Sequence, residues 1–362
     1  MTEYVIYTML KSRHKLKNGG FNMKGKVLSQ NITETKARII KAVKYTCEGK
    51  EDKIMLDKVK AVMIGHAVGD ALGVPVEFAS RLELDKSPVV DMEEGGTYNM
   101  PKGTWSDDTS MSLATLDGLA NGNIDYNDIM IGFCDWFDTA KYTPADVVFD
   151  IGRGTMKSLI SYMRGEAEAI DCGQKSELDN GNGSLMRIHP IVLYLANKDM
   201  SIKEKIEIIH NVSALTHGHI RSKIACGIYA FVLWELLNNP SLDSIRVGLD
   251  NAEKFYKGEA ELKHYNRIFC RTFTITKRDD IKSSGYVVDT LEAALWCLLT
   301  TSSYKDCVLK AVNLGGDTDT VAAIAGGLAG GVYGYEAIPQ NWRNTLIKRD
   351  YIEQLCEKAF YK

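Results

Sequence analysis

The apolar residues of this chain mostly recur every three to four positions, the spacing of helices, with little of the alternation that marks strands. From Asp57 the run DKVKAVMIGHAVGDALGVPVEF is apolar or small on nearly every side, which predicts a helix buried all round. Further helices are predicted at 108–121, 125–138, 151–164, 184–196, 203–216, 220–238, 286–300, 304–313 and 319–332. A shorter one, TETKARIIKAVKY, is predicted near the start, opened by Thr33 and carrying Ile39, Ile40 and Val43 on one face. RTFTITKR, at 271–278, is the main stretch of period two. The fold class is therefore all-α. No tandem repeat, low-complexity tract or linker interrupts the chain after residue 57, so 58–362 reads as one domain behind an extension, 1–57.

Composition narrows the class further. With 362 residues, 45% hydrophobic and 25% charged, the chain is ordinary for a globular protein and long enough to bury a large core. The net charge of −3 hides an asymmetry. Residues 1–50 carry 11 Lys/Arg against 3 Asp/Glu, a net +8, and the other 33 basic against 44 acidic residues give −11. The basic arm, with KSRHKLK at its centre, reads as a solvated, partly disordered tail in preference to a nucleic-acid contact. No apolar stretch is expected to approach the roughly 20 residues of a membrane span, and no signal-peptide pattern opens the chain, so the expected location is cytoplasmic with no membrane partner. Eight cysteines without a CxxC pair predict reduced structural thiols over a zinc site or a disulfide framework.

The candidate chemistry lies where helices are expected to begin or end. Three oxygen-rich clusters stand out: Asp70 through Glu77, TWSDDTSM at 104–111, and GGDTDT at 315–320. Ser106, Asp107 and Asp108 offer a hydroxyl and two carboxylates within one turn, and Asp317, Asp319 and Thr320 offer the same set. As single clusters these are adequately explained as helix caps and first-turn acids. Two matching clusters, each ahead of a small or apolar helix that must pack closely, favour a shared site. Carboxylates gathered there would repel one another unless cations were present, and an all-oxygen set suits Mg²⁺ or Mn²⁺ better than zinc. NGNGSLMR, at 180–187, places small residues ahead of a predicted helix, where free backbone N–H groups could cradle an anion. ALTHGH places His217 at the end of one predicted helix and His219 at the opening of the next.

The ordered set GHAVGDALGVPVE, GTWSDDTSM, DIGRGT, NGNGSLMR, ALTH, SGYVVDTLEAALW and GGDTDTVAAIAGGLAG resembles the ADP-ribosylglycohydrolase family, over about residues 58–340. The resemblance implies a single compact orthogonal multi-helix domain around two Mg²⁺ or Mn²⁺ ions. It implies an enzyme, expected as a monomer, that removes ADP-ribose from an ADP-ribosylated protein or small molecule. Carried over by position, it makes Ser106, Asp107, Asp108, Asp317, Asp319 and Thr320 metal ligands and Glu77 and Asp150 the catalytic carboxylates. Gly181, Asn182, Gly183 and Ser184 would hold the diphosphate or its riboses, His217 would contact the ADP-ribose, and Tyr286 would line the pocket near a nucleotide ring. Ser106 stands where many members have threonine, and the spacer before Ile151 makes Asp146 an alternative to Asp150. Two rival functions share these residues: a binding protein without turnover, and a metal-dependent phosphohydrolase cleaving a nucleotide diphosphate.

Overall fold

In a computed structural model, residues 53–360 are described; the basic arm and the helix expected from Thr33 lie outside them. The described residues form fifteen α-helices and several short 3₁₀ turns, with three isolated bridges and no strand among them. Helix α1 covers residues 53–73 and runs into a 3₁₀ turn, Val74–Val76. There follow α2 (Arg81–Lys86), α3 (Asp107–Gly118), α4 (Tyr126–Thr139), α5 (Arg153–Met163), α6 (His189–Ala196), α7 (Ile202–Ala214) and α8 (Ile220–Asn238). The series closes with α9 (Leu242–Phe255), α10 (Asn266–Phe269), α11 (Val287–Leu299), α12 (Tyr304–Val312), α13 (Thr318–Tyr333), α14 (Gln340–Thr345) and α15 (Arg349–Phe360).

The apolar run of α1 proves long and apolar enough to cross a bilayer, contrary to the sequence expectation, and 83% of its most apolar window is buried inside the fold. Its hydrophobicity on all sides serves the core. The small residues of α1 and α13 explain how closely the two helices pack. A Cβ on Gly65 would stand 2.5 Å from the Gly326 carbonyl oxygen, and one on Gly69 would stand 2.1 Å from that of Ala322. At the end of the stripe, a Cβ on Gly73 would meet the Asp319 backbone at 2.3 Å. Only glycine admits such an approach. It fixes the end of α1 against the start of α13, where the Thr318 hydroxyl also donates to the Gly73 carbonyl at 2.8 Å.

Two expectations fail locally. The alternating stretch at 271–278 forms 3₁₀ turns, with Phe273 buried and Ile275 77% exposed, and no strand among the described residues pairs it. The helix expected from 184 begins at His189, and residues 183–187 are a turn held by Met186 N–H donating to the Asn182 carbonyl at 3.1 Å.

Candidate active site

The starts of α3 and α13 and the end of α1 converge on one acidic cluster. At α3 the helix cap is Ser106, whose hydroxyl oxygen accepts from the Asp108 N–H at 3.3 Å. Asp107 and Asp108 are thus free of capping duty. Asp317 holds the cap position of α13 and makes no side-chain cap bond; its Oδ2 accepts from Asn182 Nδ2 at 2.7 Å instead. The capping explanation fails at both acids.

Carboxylate oxygens of Asp70, Asp108 and Asp319 lie within 4.8 Å of one another, and those of Glu77, Asp150 and Asp319 form a second such group. Asp319 belongs to both. Thr320 Oγ1 donates to Asp108 Oδ2 at 3.3 Å, tying the two motifs together directly. Four oxygens of the cluster, Glu77 Oε2, Asp108 Oδ1, Asp317 Oδ1 and Asp319 Oδ2, are buried without a hydrogen-bond partner. Buried carboxylate oxygens left bare are costly, and such a set has the chemistry of a hard-cation site.

The electrostatics agree. Burial, with repulsion among the neighbouring acids, drives the carboxyls of Asp107, Asp108 and Asp319 well above the usual carboxylate range. Burial first, and then the charge of Asp150, lifts Glu77 to about 9. Burial also raises Asp150, and the neighbouring Tyr98 hydroxyl acts against the rise at both carboxyls. With protein groups alone, the cluster relieves its repulsion only by taking up protons.

Asp70 is the member whose role the sequence left unassigned. It is fully buried, and its oxygens accept from Ser106 N–H at 2.8 Å, Thr109 N–H at 3.0 Å and the Thr109 hydroxyl at 2.6 Å. It therefore fixes the loop that presents Ser106, Asp107 and Asp108. Glu77 is held from two sides: its carbonyl accepts from Thr97 Oγ1 at 2.7 Å, and the next residue, Phe78, donates its N–H to the Gly316 carbonyl at 2.8 Å. Phe78 and Asp150 both adopt left-handed backbone, at φ 67° and 53°. Such conformations cost on the order of 1–3 kcal/mol each and concentrate at functional sites.

The cluster floors a cavity of about 560 Å³. Glu77, Asp107, Asp150, Asp317 and Thr320 line one wall, with Ser106, Asp108 and Asp319 buried behind them. Gly181, Asn182, Gly183 and His217 line the facing wall, as expected, together with Gly152, Arg153, Gly154, Thr155 and Lys157. These last five were missed. The uncapped helix start that faces the cavity is not after NGNGS but at α5, whose cap, Gly152, makes no side-chain cap bond. The signal was present in GRGT, small residues ahead of a helix with a basic one among them.

Two of the residues expected to hold the substrate do not line this cavity. The Ser184 side chain is fully buried and turned inward, accepting from Ser213 Oγ at 3.0 Å, because the turn at 183–187 replaces the expected helix start. Tyr286 caps α11 beside the cavity, its hydroxyl accepting from Arg221 Nη1 at 3.1 Å. Asp146, the alternative to Asp150, is exposed and paired with Lys348 at 3.0 Å.

An all-α fold brings acids from helix starts together beside a glycine-rich wall with an uncapped helix N-terminus. The chain matches the family model for ADP-ribosylglycohydrolase over residues 51–362, and it belongs to that family, whose enzymes hydrolyse glycosidic bonds. It is 33% identical over 317 residues to the ADP-ribosylarginine hydrolase Tri1 of Serratia proteamaculans (strain 568), spanning 84% of this chain and 80% of that one. It is 32% identical over 293 residues to the ADP-ribosyl-[dinitrogen reductase] glycohydrolase of Rhodospirillum rubrum, spanning 80% and 90%. A solved structure titled as an ADP-ribosylglycohydrolase-related protein complex is similar at a TM-score of 0.71 and 28% identity, covering 85% of this chain and 98% of its own.

Proposed function

We propose that this enzyme removes ADP-ribose from a protein side chain by cleaving the bond to the anomeric carbon of the ribose, with two Mg²⁺ or Mn²⁺ ions as cofactors. The observation that carries the reading is the set of four buried, partnerless carboxylate oxygens on Glu77, Asp108, Asp317 and Asp319. The two carboxylate groups that share Asp319 support a pair of ions, held by Ser106, Asp107, Asp108, Asp317, Asp319 and Thr320. When bound, such ions lower the pKa of water and orient sugar hydroxyls.

The chain's own residues supply the rest. Breaking a glycosidic bond develops positive charge on the ribose, and the carboxylates of the floor favour that charge. Glu77 and Asp150 are neighbours in a buried environment that raises both, so a proton taken up by the pair can be returned to the leaving group. The start of α5, with Arg153 and Lys157, suits the diphosphate. Asn182 spans both walls, bonding Asp317 from the glycine-rich loop, and so couples ribose placement to the acidic floor. Arginine is the favoured acceptor, supported by the identity to the ADP-ribosylarginine hydrolase.

Product analysis tests the reading. Purified protein with Mg²⁺ or Mn²⁺ is incubated with arginine-linked, serine-linked and nucleic-acid-linked ADP-ribose. Free ADP-ribose from the arginine-linked substrate is expected. AMP would mean diphosphate cleavage, and unaltered substrate bound without turnover would mean a binding protein.

A further inference from the structure

Behind the glycine-rich wall runs a second chain of buried polar groups. Arg187 is fully buried and has no carboxylate partner among the described residues. Its guanidinium lies 4.3 Å from the centre of the Phe133 ring and reaches the Val212 carbonyl at 3.4 Å. Its one short bond runs from Nη2 to Thr216 Oγ1, at 2.6 Å. A buried guanidinium without a counter-charge is costly, and here its charge is directed at a single hydroxyl.

That hydroxyl stands 2.9 Å from Nδ1 of His217. Arginine only donates, so Thr216 Oγ1 accepts from it, and the hydroxyl proton has Nδ1 as its acceptor. An imidazole that accepts at Nδ1 and stays neutral carries its own proton on Nε2. Nε2 faces the cavity: a Cβ on Gly154 or on Gly181 would stand 3.3 Å from it, so the glycines leave room there for a ligand atom. The opposite tautomer would leave the Thr216 proton without an acceptor and present a lone pair to an anionic ligand.

We propose that Arg187 and Thr216 are positioning residues that lock His217 as the neutral Nε2–H tautomer, aiming one fixed donor at a ligand oxygen between Gly154 and Gly181. Burial, and next the Arg187 charge, hold His217 down to about 3, so the imidazole stays neutral across the physiological range. The device differs from a carboxylate–histidine pair, in which the partner raises the basicity of the ring. Here a cation relayed through a hydroxyl lowers it, and the histidine is a hydrogen-bond donor and not a proton acceptor. That the ligand oxygen belongs to ADP-ribose rests on the proposed function; the tautomer does not.

Nitrogen-15 spectra of the unliganded protein test the tautomer, with the His217 signals assigned by their loss in His217→Gln. A protonated Nε2 and a bare Nδ1 are expected from pH 6 to 9. An Nδ1–H tautomer, or an imidazolium at pH 7, would overturn the proposal. Thr216→Val removes the relay and Thr216→Ser keeps it. ADP-ribose affinity should fall about tenfold in the valine variant and stay within about twofold of wild type in the serine variant. Equal affinity in the valine variant and the wild type would likewise overturn it. Should the wild-type protein not bind ADP-ribose, the proposed function fails and the imidazole spectra alone decide the relay.

Discussion

The two walls of the cavity solve opposite problems. The floor concentrates negative charge on side chains, and four of its oxygens have no protein partner. The facing wall uses backbone: glycines, a helix start without a side-chain cap, and a histidine held neutral. One side is short of positive charge and the other offers donors to negative charge. A ligand joining a sugar to a diphosphate satisfies both, and the contrast teaches that chemistry carried by side chains and chemistry carried by backbone leave different traces in a sequence.

Removing charge from the floor is the largest way to break this contrast. Asp317→Ala is expected to reduce metal-dependent ADP-ribose release to background while circular dichroism keeps the helical signal, since Asp317 makes no capping bond. Asp70→Asn is expected to do less. It preserves shape and turns an amide N–H toward donors that now bond a carboxylate, so metal affinity should fall about 10- to 100-fold, read by Mn²⁺ titration.

A smaller effect sharpens the comparison through pH. Glu77 titrates at about 9 in the metal-free fold, against roughly 4.3 for an unfolded glutamate, so between those values the folded state holds protons that the unfolded chain has shed. Stability in chelator should therefore fall as pH rises from 8 to 9, and added Mg²⁺ should flatten the slope. The buried histidines His66, His189, His210 and His217, all depressed chiefly by burial, act in the opposite sense. An unfolded histidine, with a pKa of about 6.5, still carries some charge at pH 7, so their cost to stability fades as pH rises and is small above about pH 8. Thermal denaturation at fixed ionic strength reads the slope. The smallest effect belongs to Asp146→Ala, an exposed ion pair, for which activity within about twofold of wild type is expected in the same release assay.

Much of the fold was legible where packing is amphipathic and punctuated. α8 spans Ile220–Asn238, the same residues the apolar spacing predicts. α9 is absent from the predicted helices; in the structure its Gly248 lets it approach the Val232 backbone, which a Cβ would meet at 2.6 Å. α15 was missed because its apolar positions are few among charges, although Ile352 and Cys356 are fully buried. In the site, the acids of SDDT and DTDT were readable because their side chains are the chemistry. The clamp made by Asp70 was not, since it depends on α1 meeting α3 across the fold. Backbone features were the hardest to read. Nothing in the residue type marks Phe78 as left-handed, aspartate's tolerance of that region does not single out Asp150, and the inward turn of Ser184 follows from a turn where the pattern predicts helix.

Calorimetric titration of metal-free protein with Mn²⁺, wild type beside Asp319→Asn, tests the central claim most directly, because Asp319 is common to both carboxylate groups. Binding of two ions per chain by the wild type, lost or severely weakened in the variant, is the predicted result. Undiminished binding by Asp319→Asn, or no Mn²⁺ bound by a wild-type protein that still releases ADP-ribose, would contradict it.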